Sequence, residues 1–128
     1  MFKFFLLFII DYFNLLQYIM HLYISTYNKI EMKLITKEIK NKLPKLYEQE
    51  SKGLNAIAYI KFFTPDSNWS WYVTEFDGED IFFGLVDGFE KELGYFSLSE
   101  LQSVKGPLGL KIERDLYFKP TKLKNLMG

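Results

Sequence analysis

"WSWYVTEFDGEDIFFGLVDG", residues 69–88, decides how the chain is built. Its first eight residues are mostly β-branched or aromatic, the composition of a strand. Alternation places Trp69, Trp71 and Val73 on one face and Ser70, Tyr72 and Thr74 on the other. Asp77-Gly78 then signals a hairpin, because glycine takes the left-handed backbone that such a turn needs. "IFFGLV", residues 81–86, is apolar on both faces and reads as a central strand. Gly84 and Gly88 point to a bulge or close packing beside it.

The reading extends outward from this hairpin. "AIAYIKFF", residues 56–63, is a further strand, joined to the next by the turn "TPDSN". A turn around Lys91 leads to a fourth strand, "LGYFS", residues 93–97. These links are too short for crossovers, so the strands at 56–63, 69–76 and 81–86 should be consecutive antiparallel neighbours. Thr36 is placed to cap a helix bearing Ile39 and Leu43, which Pro44 stops. Leu46 and Tyr47 fall in a short turn after it, and "ESKG", residues 50–53, is a loop. Ser97 and Glu100 form a capping box opening a helix through Val104. "KGPLGL", residues 105–110, is a loop, "IERDLYFKP" reads as either a strand or an extended segment, and "TKLKNLM", residues 121–127, is a short terminal helix. The expected fold is α+β: a small antiparallel sheet of about four strands with short helices at both ends of the domain.

"MFKFFLLFIIDYFNLLQYIMHLYIS", residues 1–25, stands outside that pattern as an apolar helix. Asp11, Asn14, Gln17 and His21 recur every three or four residues and make a polar stripe along it. Each Leu, Ile or Phe favours insertion by roughly 0.3–0.6 kcal/mol, whereas one central Asp opposes it by about 2.5–3.5. Residues 1–31 contain no Gly, Ala, Pro, Arg or Val, and Phe, Ile, Leu, Tyr, Lys, Asn and Met fill 25 of the 31 positions. Codon-like composition of this kind suggests an upstream start-site artefact, with Met32 opening a single domain over 32–128. The alternative is an inner-membrane anchor, with the lysines from Lys29 to Lys45 holding the domain in the cytoplasm. Either reading is cytoplasmic, and a membrane enters only if residues 1–31 are native.

The composition excludes several chemistries. The chain has no cysteine, and its one histidine, His21, lies outside the domain, so Ser-His-Asp and Cys-His catalysis are not expected there. Net charge is zero but blocked. Seven lysines fall between Lys33 and Lys61, nine acids between Asp66 and Glu100, and six basic residues from Lys105 onward. No cofactor is expected. Asp66, Glu75 and Asp77 are the carboxylates that a divalent metal would use, although charged residues crowding a hairpin tip need no such role. Gly106-Pro107-Leu108-Gly109 has the spacing of an RNA-clamping loop but carries Pro and Leu where polar residues belong, so a rigid turn is expected. Twelve aromatics lie between Tyr59 and Phe96 and should be mainly core. The candidate binding residues are Trp69 and Trp71 on one strand face, Asp66 and Asn68 beside them, and Arg114, the single arginine, between two acids.

"FFTPDSNWSWYVTEFDG", "FFGLVDGFEKELGYFSLSEL", "MKLITKEIKNKLPKLYEQE" and "GPLGLKIERDLYFKP" together resemble the bacterial domain-of-unknown-function family 2958 over residues 32–127. Many members carry a longer segment between the strand like "WYVTEFD" and "FFGL", where this chain has a tight Asp-Gly turn. The resemblance implies a bacterial setting, often a plasmid or other mobile element, and supplies no catalytic residues. The expectation is therefore a non-enzymatic binding or accessory module whose partner is another protein or a nucleic acid. The alternative is a divalent-metal nucleic-acid-processing enzyme using the hairpin carboxylates.

Overall fold

The computed structural model describes residues 2–29 and 33–128. Internal contacts separate the chain into two compact units, Met1–Met32 and Lys33–Gly128. The first is a single helix, α1 (Phe2–Lys29). No described helix is long and apolar enough to cross a membrane. The polar stripe from Asp11 to His21 supplies the reason, because it interrupts the apolar run every turn. Met32, the expected start of the domain, lies outside the described residues.

The second unit is α+β. Its elements are α2 (Lys37–Lys42), a 3-10 helix (Glu50–Asn55), β1 (Ile57–Ala58), β2 (Ile60–Phe63), β3 (Ser70–Phe76), β4 (Ile81–Asp87) and β5 (Lys91–Ser97). They are followed by α3 (Leu98–Ser103), β6 (Glu113–Arg114), β7 (Thr121–Lys122) and α4 (Leu123–Met127). Both expected caps form. The Thr36 hydroxyl accepts from Ile39 N at 3.2 Å, and the Ser97 hydroxyl accepts from Glu100 N at 3.1 Å.

A five-stranded antiparallel sheet runs in the order β5-β4-β3-β2-β6, and β1 pairs separately with β7. The strand expected over 56–63 is thus divided at Tyr59, whose N–H donates to Val73 O at 2.9 Å. Ile57 and Ala58 turn to β7, while Ile60–Phe63 stay in the main sheet. The main sheet exceeds the expected four strands by β6, and β7 adds the separate pairing with β1; these two-residue strands at 113–114 and 121–122 are too short to show a period in the sequence. The centre is β3, with β4 one place nearer the edge.

The two faces of the sheet bury different sets. Phe62, Trp71, Val73, Phe76, Phe82 and Phe96 share one face with Leu34, Leu43, Leu101 and Ile112. Phe82 sits among three rings, with centroids at 4.5 Å to Phe76, 5.4 Å to Phe96 and 5.7 Å to Phe62. Ala56, Ala58, Leu85 and Leu123 pack on the other face beside Tyr72 and Phe118. Strict alternation would put Phe76 with Tyr72. A bulge between Val73 and Glu75 corrects this: one extra residue, Thr74, shifts the register and carries Phe76 to the face of Trp71.

Gly84 lies opposite that bulge, where a Cβ would stand 1.8 Å from Tyr72 O and 2.8 Å from Tyr72 C. The obstacle is backbone and cannot rotate away. Gly84→Ala should therefore cost about 2–3 kcal/mol, the upper part of the overpacking range. Urea unfolding checks it, and a variant as stable as the parent would mean that β3 and β4 separate there at no cost.

Candidate functional site

The structure distributes the sequence-derived candidates over separate tasks. Trp71 is 8% exposed and belongs to the core. Trp69 is half-buried nearer the sheet end, 5.9 Å from Trp71 and edge-on to the exposed Phe89 at 5.3 Å. Gly88 leaves the space that the Trp69 ring fills. Asn68 is exposed in the preceding turn. Asp66 reaches the 105–110 loop, where its Oδ2 accepts from Leu108 N at 2.8 Å. Its Oδ1 is buried, with no hydrogen-bond partner among the described residues. One Arg114 nitrogen donates to Lys33 O at 3.0 Å and Leu34 O at 2.7 Å, fastening the start of the domain to β6. Burial draws the Arg114 guanidinium pKa below its ordinary value.

The three carboxylates considered for a metal are each engaged differently. Asp66 holds a loop. Asp77 Oδ1 accepts from the N–H groups of Glu79, Asp80 and Ile81 in the β3–β4 turn. These bonds, that of Glu79 foremost, hold the Asp77 carboxyl below the usual carboxylate range. Glu75 lies under the segment before the 3-10 helix, where its Oε2 accepts from Gln49 N. Among the described residues no three His, Cys, Asp or Glu side chains gather as metal ligands.

Among the described residues, two of the concavities on this unit lie beside the candidate residues. One, about 330 Å³, lies between α2 and the 114–118 segment and is lined by Ile39, Tyr59, Arg114, Leu116 and Phe118 among others. The other, about 220 Å³, lies on the opposite face of the sheet. Thr74 and Glu75 form its floor side, Phe83, Leu93 and Tyr95 come from β4 and β5, and Tyr47, Gln49 and Glu50 close over it.

This smaller cavity follows directly from the bulge. Thr74 Oγ1 donates to Phe83 O at 3.0 Å, satisfying a carbonyl that the shifted ladder leaves. The displaced register turns Glu75 to the second face, where it is only 3% exposed. Gln49 is the clamp above it. Its Nε2 donates to Ile57 O at 2.9 Å and Thr74 O at 2.8 Å, and its Oε1 accepts from Ile57 N at 2.8 Å.

The mouth is aromatic and acidic. Tyr95 stands edge-on to Phe83 at 5.0 Å. Its phenol pKa is raised, first by a hydrogen bond with Tyr47 and also by the charges of Glu50 and Glu75. Tyr47 has φ of 73°, the one positive φ outside glycine among the described residues. Such a backbone costs on the order of 1–3 kcal/mol and persists only where its surroundings impose it. Here it delivers a phenol to the cavity mouth.

No lysine or arginine among the described residues pairs with Glu75. Sequence reasoning weighed Glu75 only as one of several hairpin acids and missed Tyr47, Gln49, Glu50, Phe83, Leu93 and Tyr95 as a group. The one available signal was an acid inside an otherwise apolar strand, which alternation assigned to the wrong face. A family model described as "Protein of unknown function (DUF2958)" matches residues 34–125. No curated protein and no solved structure matches the chain.

Proposed function

Because the chain belongs to the DUF2958 family of proteins of unknown function, we propose its role from the site: a non-enzymatic binding module that seats an ammonium group over Glu75. The proposal includes the setting implied by the resemblance, an accessory protein of bacterial mobile elements acting in the cytoplasm. Its working part is the unit 33–128.

The observation that carries this reading is a carboxylate 3% exposed at a cavity floor, with a backbone N–H but no described cation as partner. Taking an ionised carboxylate out of water costs several kcal/mol unless an opposite charge or several hydrogen bonds compensate. A bound cation supplies the missing charge. Phe83, Tyr95 and Tyr47 line the same cavity, and the face of an aromatic ring is a favourable neighbour for an ammonium group. One Glu75 oxygen is already taken by Gln49 N, which suits a compact ammonium better than the two-pronged guanidinium. About 220 Å³ is room for one side chain. A metal-dependent nuclease would need carboxylates facing one point, whereas Asp66, Glu75 and Asp77 serve three different backbone sites.

n-Butylammonium chloride titrated into the full chain should shift the amide resonances of Gln49, Glu75, Phe83 and Tyr95, with Kd on the order of 1 mM. Glu75→Gln keeps the shape and an acceptor for Gln49 N, yet should weaken this binding at least about tenfold, the equivalent of one opposite-charge contact. Butanol should bind neither form. Equal affinity in both proteins, or no shifts in either, overturns the reading.

A further inference from the structure

Resting on that reading, we propose that β5 is the docking edge for an extended, lysine-bearing segment of a partner protein. The segment adds as a new outer strand beside β5 and lowers one lysine side chain into the Glu75 cavity.

The pairing of β4 with β5 fixes which backbone groups are available. Leu98 N donates to Asp80 O and Gly88 N to Glu90 O. In the same register Glu92, Gly94 and Phe96 exchange hydrogen bonds with Val86, Gly84 and Phe82. The N–H and C=O groups of Leu93 and Tyr95 therefore point the other way, out of the sheet. No hydrogen bond joins them there to any described residue. These are also the two β5 residues that line the cavity. A strand laid on this edge sits about 4.8 Å away. Its side chains opposite Leu93 and Tyr95 rise on the cavity side, within reach of a lysine stem.

The edge has few of the features that usually prevent such pairing, its charges being confined to Lys91 and Glu92 at one end. It is seven residues long, against two for β6 at the other end of the sheet. It has no proline, and its register with β4 is unbroken. Its one lysine, Lys91, sits at the end and donates to Leu126 O at 2.9 Å. Leu93 and Tyr95 are both exposed. Charge selects the occupant: Glu90 precedes the edge, Glu92 lies within it, and Glu50 and Glu75 line the cavity, so a basic segment is complementary. A second copy of the chain would bring the same acids to an acidic edge. Strand addition supplies backbone hydrogen bonds for affinity and one pocket for selectivity.

The probe is the capped peptide acetyl-(Thr-Lys)3-Thr-amide, whose lysines share one face when extended. Mixed with the full chain, it should slow amide hydrogen exchange at Leu93 and Tyr95 at least about tenfold, since each gains a ladder bond. Gly94 and Phe96, already bonded to β4, should change little. Its affinity should exceed that of n-butylammonium at least about tenfold. Methylating alternate backbone nitrogens of the peptide, or replacing its lysines by glutamine, should remove that gain. If the methylated and parent peptides bind alike, without protection at Leu93 and Tyr95, strand addition is overturned while the ammonium site stands. If n-butylammonium fails to bind, the underlying reading falls with it. Protection of Leu93 and Tyr95 without peptide, with doubled mass in sedimentation, assigns the edge to a second copy and also overturns the proposal.

Discussion

Replacing Gln49 by leucine should destabilise the 33–128 unit by about 3–5 kcal/mol, although the two side chains have similar volume. Gln49 is buried, and its amide satisfies Ile57 N, Ile57 O and Thr74 O at once. Leucine leaves all three without a partner, and each unsatisfied buried group costs about 1–3 kcal/mol, less where water enters. The three bonds tie Gln49 to both β1 and β3, so the loss also frees the segment over the Glu75 cavity. Urea unfolding should show a lower midpoint at unchanged slope. Amides of residues 50–55 should exchange faster even where the rest of the sheet remains protected. A loss below about 1 kcal/mol would mean that water takes over these groups, and that the clamp is dispensable.

Trp71→Ala should cost a similar amount, about 3–5 kcal/mol, the usual range for emptying a large aromatic site in a core. The indole occupies the face shared with Phe62, Val73 and Phe82, and its strand pairs on both sides, with Phe62 and Val86 as register partners. Little can move to fill the space. Trp69→Ala should cost only about 1–2 kcal/mol, since its half-exposed ring gives up less apolar burial. Each single variant keeps the other indole as a fluorescence reporter of unfolding. Near-parent stability in both would place the first face of the sheet outside the core.

Much of the architecture was legible in the residues themselves. Asp77-Gly78, with apolar strands on either side, announces the central hairpin, and the structure closes it with Asp77 N donating to Ile81 O at 2.9 Å. Thr36 before Lys37 and Ser97 before Leu98 announce their helices, because a hydroxyl meeting the third N–H onward is a local event. The consecutive antiparallel order of β2, β3 and β4 likewise follows from short turns. Trp71, the second residue of β3, is buried while Trp69, just before that strand, is half-buried, as a small core short of volume requires.

The candidate site was much less legible. Alternation is a rule about neighbours, and it reads Glu75 as one more acid close to a turn. A single extra residue in one strand, Thr74, reverses the faces of everything after it. Whether a strand bulges depends on what its partner can accommodate. Here that partner is Gly84, whose missing side chain admits the Tyr72 carbonyl. The clamp is also non-local: Gln49 stands 26 residues from Glu75 and acts only when the chain returns over the sheet.

By itself, then, the sequence determined the elements whose hydrogen bonds and apolar periods close within a few residues: the capped helices, the hairpin, the antiparallel order and the apolar character of α1. Tertiary structure alone decided the division at Tyr59, the bulge at Thr74, the burial of Glu75 and the meeting of Tyr47 with Tyr95. The physical reason is range. Turns and caps are set by backbone geometry within one segment, whereas a buried charge and its cavity exist only after distant segments have excluded water together.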